Sequence, residues 1–126
     1  MIELKNISKI YPPDTVALRD INLMVEPGEF LSLVGLSGVG KTTVVRLIIA
    51  EERPTSGEII IGGWNITGIK SYEVPLLRKQ IGVVWQDYKL LPRKTVFENV
   101  SFALEVSGAQ KNRINDIVPQ VLKIVG

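Results

Sequence analysis

Cysteine and histidine are both missing from this sequence. Without cysteine there can be no disulfide, no thiolate chemistry and no Cys-ligated zinc. Without histidine the commonest general base and metal ligand is gone. Long apolar runs are missing too: none approaches the roughly 18 residues needed to cross a bilayer. Met1 leads straight into Ile2-Glu3-Leu4-Lys5, with no basic stretch followed by an apolar one, so no signal peptide is expected. These absences point to a reducing cytoplasm and limit any membrane role to a peripheral one. An excess of one charge is lacking as well. Fifteen basic residues stand against 13 acidic ones, a net charge of +2, and nothing in that balance calls for a nucleic-acid partner.

What remains is ordinary globular material. The 126 residues are 45% hydrophobic and 22% charged, enough for about one domain with a modest core. No internal repeat or low-complexity stretch interrupts them. Residues 2–10 alternate loosely, and Ile21, Leu23 and Val25 alternate cleanly, which predicts two half-buried, antiparallel strands. Tyr11-Pro-Pro-Asp-Thr15 between them reads as a loop, and Pro27-Gly28 as a turn. Residues 29–34 and 81–85 are nearly continuous in apolar character, as expected of strands covered on both faces. A buried helix is predicted from Lys41 to about Glu51, broken by Pro54-Thr-Ser-Gly57. Glu58–Ile61 and Trp64–Ile66 form a hairpin through Gly62-Gly63. Residues 72–79, 96–104 and 114–125 read as helices, the last with Pro119 inside its apolar stripe.

The segment Gly35-Leu-Ser-Gly-Val-Gly40-Lys41-Thr42 satisfies G-x-x-x-x-G-K-[ST] at every position. Glycines let the backbone turn tightly and approach phosphate with no Cβ in the way. Successive amides make an anion-binding nest, and the helix that starts near Lys41 turns its positive dipole end toward it. Lys41 can reach the β- and γ-phosphates, Thr42 can ligate Mg²⁺, and Thr43 offers a second hydroxyl. Chance produces this pattern in roughly one chain in a few hundred of this length. Here it also lies between a predicted buried strand and an apolar helix, the setting the motif requires.

Two other residues bear on the same site. Tyr11, in a loop upstream, can stack on a purine base, although taken alone a tyrosine there is more often a strand-end packing residue. Gln86 follows the predicted strand 81–85, and a carboxamide there can contact Mg²⁺ or a lytic water, or simply face solvent.

In order, the Tyr11 loop, Gly35 to Thr43, Pro54-Thr-Ser-Gly57 and Gln86-Asp87 resemble the amino-terminal half of an ABC-type ATPase over essentially the whole chain. Arg53-Pro-Thr-Ser-Gly57 and the run from Gln86 to Val100 resemble the cell-division (FtsE-type) branch of that family, with Trp85 where a phenylalanine is usual. The resemblance implies an α/β fold: a partial P-loop NTPase core of an ABC ATPase, with an antiparallel β subdomain (1–30 and 57–68), core segments (29–52 and 81–86) and the start of a helical subdomain (87–126). It implies ATP and Mg²⁺ as cofactors. Tyr11 would stack on adenine, with Val16 also at the nucleotide. Gly35, Ser37, Gly38, Val39, Gly40, Lys41, Thr42 and Thr43 would hold the phosphates. Lys41 and Gln86 would serve catalysis, and Thr42 and Gln86 the metal. Residues 87–100 would line a groove for an integral membrane partner resembling FtsX at the inner face of the cell membrane. Lys89, Arg93 and Lys94 would face that partner or an anionic membrane, or form a solvated basic edge. The complete protein would be a homodimer.

The family's hydrolytic parts are not in this sequence. There is no Leu-Ser-Gly-Gly signature, no apolar strand ending in Asp-Glu, and no switch histidine; Ser107-Gly-Ala-Gln110 lacks the second glycine. Nothing therefore polarises a water or completes the Mg²⁺ shell. The expectation is a chain that holds Mg-ATP without turning it over. Three other assignments compete: a lipoprotein-release or other export-type ATPase, a nucleotide-binding module with no catalytic role, and a small P-loop kinase. The kinase would need a lid and an acceptor site, and neither is visible.

Overall fold

The computed structural model describes all residues, Met1–Gly126. They divide into two compact units, Met1–Ile81 and Gly82–Gly126.

The first unit is built on a four-stranded antiparallel sheet. Its strands are β1 (Ile2–Tyr11), β2 (Thr15–Val25), β3 (Ser56–Ile61) and β4 (Trp64–Asn65), in the order β2-β1-β3-β4. Leu4, Ile7, Leu18 and Ile59 share one buried core with Val44 and Leu47 of helix α1 (Lys41–Ile48). Leu4 and Ile7 are three residues apart, and the bulge between them, with Asn6 at φ 48°, brings both to the same side. Ile66, Ile69 and Leu77 complete this core, Leu77 coming from the short helix α2 (Val74–Arg78).

Turn chemistry sets the register. Gly62 and Gly63 both have positive φ, which joins β3 to β4 through a two-residue turn whose twist matches the strands. After Pro27, Gly28 takes φ 80°, and the amide of Glu29 donates to the carbonyl of Glu26 at 3.1 Å, the geometry of a type II turn. Gly57 is required for a different reason. It lies where the β1–β3 pairing slips between Lys5 and Ser8, and its φ is 93°. A Cβ there would stand 2.5 Å from the Lys5 carbonyl oxygen and closer still to that of Asn6. The Pro-Thr-Ser-Gly turn thus owes its glycine to the close approach of β1. The helix before it has already ended, with Ala50 in the left-handed region at φ 50°.

The second unit holds helices α3 (Val96–Val106) and α4 (Lys111–Val125). Thr95 and Glu98 form a capping box at the start of α3: the Glu98 amide donates to Thr95 Oγ1 at 3.2 Å, and the Thr95 amide donates to Glu98 Oε2 at 2.8 Å. The helices pack on each other, α4 burying Ile114 and Val118 and running through Pro119 unbroken.

Two expected strands are absent. Neither 29–34 nor 81–85 has strand geometry, and Phe30 and Val84 are 93% and 98% exposed. An apolar run records that a segment is suited to burial, but a strand exists only by pairing its amides and carbonyls with a neighbour. Within these 126 residues neither segment has such a neighbour.

Candidate functional site

The glycine-rich loop lies in the first unit, directly before α1. Gly35, Gly38 and Gly40 have φ of 156°, 83° and 93°. Gly40 is the residue before the helix, and its φ 93°, ψ 2° turns the chain sharply into Lys41. Gly40 is also buried, and a Cβ on it would lie 2.6 Å from the carbonyl oxygen of Ala17 and 2.7 Å from Leu18 Cδ2. The base of the loop is thereby seated on β2, one residue from Val16, which is itself exposed.

The helix's main-chain ladder opens with the Val44 amide donating to the Gly40 carbonyl at 3.0 Å. The amides of the first turn before it are the donors that every α-helix leaves free at its N-terminus, and they carry the positive end of the helix dipole. No acidic residue occupies that first turn. The Lys41 ammonium reaches back across the loop to donate to the carbonyls of Gly35 at 2.7 Å and Leu36 at 2.6 Å. A cation, the first amides of the helix and two exposed glycines, Gly35 and Gly38, lie on one short loop. This donor set suits a phosphate chain, so the residues fit a nucleotide. Thr42 is exposed beside Lys41, while Thr43 is buried under the loop. No group of three or more His, Cys, Asp or Glu residues is arranged to hold a metal ion.

Tyr11 ends β1 opposite Thr15. Its hydroxyl donates to Glu52 Oε2 at 2.5 Å, and the Lys9 ammonium sits over its ring, 5.0 Å from the centroid. Lys9 and Arg46 also pair with Glu52, at 3.4 and 3.2 Å. Burial alone would push the Glu52 carboxyl upward. The hydrogen bonds from Tyr11, Arg46 and Lys9 together outweigh it and hold the group below the ordinary glutamate range.

The second unit carries Gln86 at an exposed turn in which the Tyr88 amide donates to the Trp85 carbonyl at 3.2 Å. It follows a segment without regular secondary structure rather than the strand expected there. Of the basic residues in this region, Lys89 pairs with Asp87 at 2.6 Å and Lys94 with Glu98 at 3.2 Å, while Arg93 is exposed with φ 62°.

Residues 18–124 match the family described as ABC transporter. This chain belongs to that family. The cell division ATP-binding protein FtsE of Bacillus subtilis is 50% identical over 125 residues, covering 99% of this chain and 55% of its own length. The methionine import ATP-binding protein MetN of Helicobacter pylori is 44% identical over 126 residues, covering 100% of this chain and 38% of MetN. Among solved structures, the ATP-binding cassette MJ0796, in a dimeric post-hydrolysis state bound to ADP and Pi, aligns with a TM-score of 0.88 at 32% identity. That alignment covers 98% of this chain and 56% of MJ0796. The chain therefore spans little more than half the length of FtsE and MJ0796 and less than half of MetN, and its fold is that of a partial α/β P-loop ABC domain.

Within this ABC domain the first unit contains Tyr11, Val16 and the whole loop from Gly35 to Thr43, and the second contains Gln86. The residues that sequence reasoning missed are the braces: Ala17 and Leu18 beneath Gly40, and Lys9, Arg46 and Glu52 around Tyr11. Motif spacing carries no signal for them, because Glu52 and Tyr11 are 41 positions apart.

Proposed function

We propose that this chain is the Mg-ATP-holding part of an ABC-type ATPase, acting in bacterial cell division with an integral membrane partner resembling FtsX. The observation that carries the nucleotide assignment is the loop seated by Gly40 on β2, with the Lys41 ammonium bridging its mouth. Lys41 exchanges its two carbonyl acceptors for β- and γ-phosphate oxygens, a stronger charge-assisted pairing. The glycine amides and the first turn of α1 take the remaining phosphate oxygens. Thr42 directs its hydroxyl at Mg²⁺, Val16 borders the base, and Tyr11 stacks on it. Mg²⁺ held there would neutralise charge on the phosphates. In the complete protein Gln86 completes the metal and water contacts, and two copies form a dimer, as the MJ0796 cassette does.

The cell-division role rests on the 50% identity to FtsE across the chain. No helix of this chain is long and apolar enough to cross a membrane. In this reading the complete protein lies at the inner face of the cell membrane, held there by its partner. The largely exposed stretch 87–95 and the start of helix α3, as far as Val100, supply the docking edge. A solute-import role is the second reading, favoured by the 44% identity to MetN over the whole chain. Affinity purification of the tagged full-length protein from its native membrane separates the two. Recovery of a four-span membrane protein supports the cell-division reading. Recovery of an import permease with a solute-binding protein contradicts it.

A further inference from the structure

Four side chains from three segments converge beside the proposed base site, and the nucleotide contacts above make no use of three of them. Glu52 is the hub: Oε2 accepts from the Tyr11 hydroxyl and faces the Lys9 ammonium, and Oε1 accepts from Arg46. The Glu52 and Lys9 side chains are 18% and 15% exposed, so their pairing is partly shielded from water, while Arg46 reaches in from the exposed side. Lys9 is fixed in turn by donating to the Arg53 carbonyl at 2.7 Å. The backbone of Glu52 is fixed too, because the amides of Glu51 and Glu52 both donate to the Arg46 carbonyl, at 2.9 and 3.3 Å. Arg46 lies in the last turn of α1, and the first turn of α1 forms the end of the phosphate loop.

We propose that Glu52 is a positioning residue for base recognition: its carboxylate, braced by Lys9 and Arg46, fixes the ring of Tyr11 and ties it to the far end of the phosphate-loop helix. This rests on the reading that Tyr11 stacks on the base. With Lys9 over one face of the ring and the hydroxyl held by Glu52, the base takes the opposite face. A tyrosine held in this way has lost its rotamer freedom before the nucleotide arrives, so stacking is not reduced by the cost of ordering the ring. The two ends of the nucleotide site thereby share one rigid element.

The test compares two probes, Mg-ATP and magnesium tripolyphosphate, titrated calorimetrically into the full chain. Tripolyphosphate engages the loop without a base, so the ratio of the two affinities isolates base recognition from folding. Tyr11→Ala is expected to erase the preference for ATP. Glu52→Ala is expected to weaken ATP binding about 5-fold, the scale of one hydrogen bond, and to leave tripolyphosphate unchanged. Glu52→Gln keeps an acceptor for the tyrosine hydroxyl and should restore most of the loss. Tyr11→Phe should match Glu52→Ala, and the double variant should be no worse than either single one. If Glu52→Ala weakens both probes equally, its role is structural and the proposal fails. It also fails if Glu52→Ala leaves ATP affinity intact while Tyr11→Ala reduces it, and in that case stacking survives. Unchanged ATP affinity in Tyr11→Ala removes the stacking reading and the proposal together.

Discussion

The α-carbon of Gly40 faces the carbonyl oxygen of Ala17 so closely that a methyl group built on it would stand 2.6 Å away. This contact seats the phosphate loop on β2, and it allows two glycines of one motif to be told apart. Gly40→Ala must displace either the loop or the strand, and it also places a side chain at φ 93°. Gly38→Ala meets nothing within 4 Å and bears only the cost of its φ of 83°. Gly40→Ala is expected to lower stability by about 2 kcal/mol or more, and Gly38→Ala by about 1 kcal/mol. Urea denaturation of the two variants checks the order.

Gly57 and Gly63 make a second such pair. At Gly57 a methyl group collides with the main chain of Lys5 and Asn6, whereas at Gly63 it points into open space. Gly57→Ala should cost about 3 kcal/mol and Gly63→Ala about 1 kcal/mol, although both residues have positive φ. Equal losses in denaturant melts would mean that the bulge in β1 yields readily.

The Glu52 cluster gives stability a defined pH dependence. The folded carboxyl titrates below the ordinary glutamate value of 4.5, so its contribution is fully present above that value. As pH falls through the lower folded value the group binds a proton and the contribution is lost. The stability difference between the wild-type chain and Glu52→Gln should therefore be constant from pH 7 to about 5 and shrink below about pH 4. Thermal melts across that range measure it, and a difference that grows on acidification would reverse the assigned sign.

Hydrolysis is not expected from these 126 residues, which lack the signature, the Asp-Glu strand and histidine. Phosphate release from Mg-ATP should match that of a Lys41→Ala control. Turnover above the control would show that some group in this chain activates water.

Local signals in the sequence were sufficient wherever the structure is local. Alternation marked β1 and β2, Gly62-Gly63 marked the hairpin, and the apolar stripe of Ile114 and Val118 marked α4. The tight turns at Gly38 and Gly40 and the helix start at Lys41 were legible for the same reason, since the motif that specifies them lies in consecutive residues. Segments 29–34 and 81–85 carry equally strong apolar signals but form no strand. Pairing is a property of two segments, and a run of Phe30-Leu-Ser-Leu-Val34 does not say where its neighbour is. Glu52 was illegible for a related reason. Nothing about a glutamate in Glu51-Glu-Arg-Pro54 indicates that a tyrosine, a lysine and an arginine will gather around it.

Isothermal titration of the folded chain with Mg-ATP addresses the central claim most directly, because it asks only whether the loop grips a triphosphate. Saturable heat with a stoichiometry near one per chain is expected, together with its loss in Lys41→Ala. A folded wild-type chain that gives no heat with Mg-ATP, or a Lys41→Ala variant that binds as well as the wild type, would contradict the account.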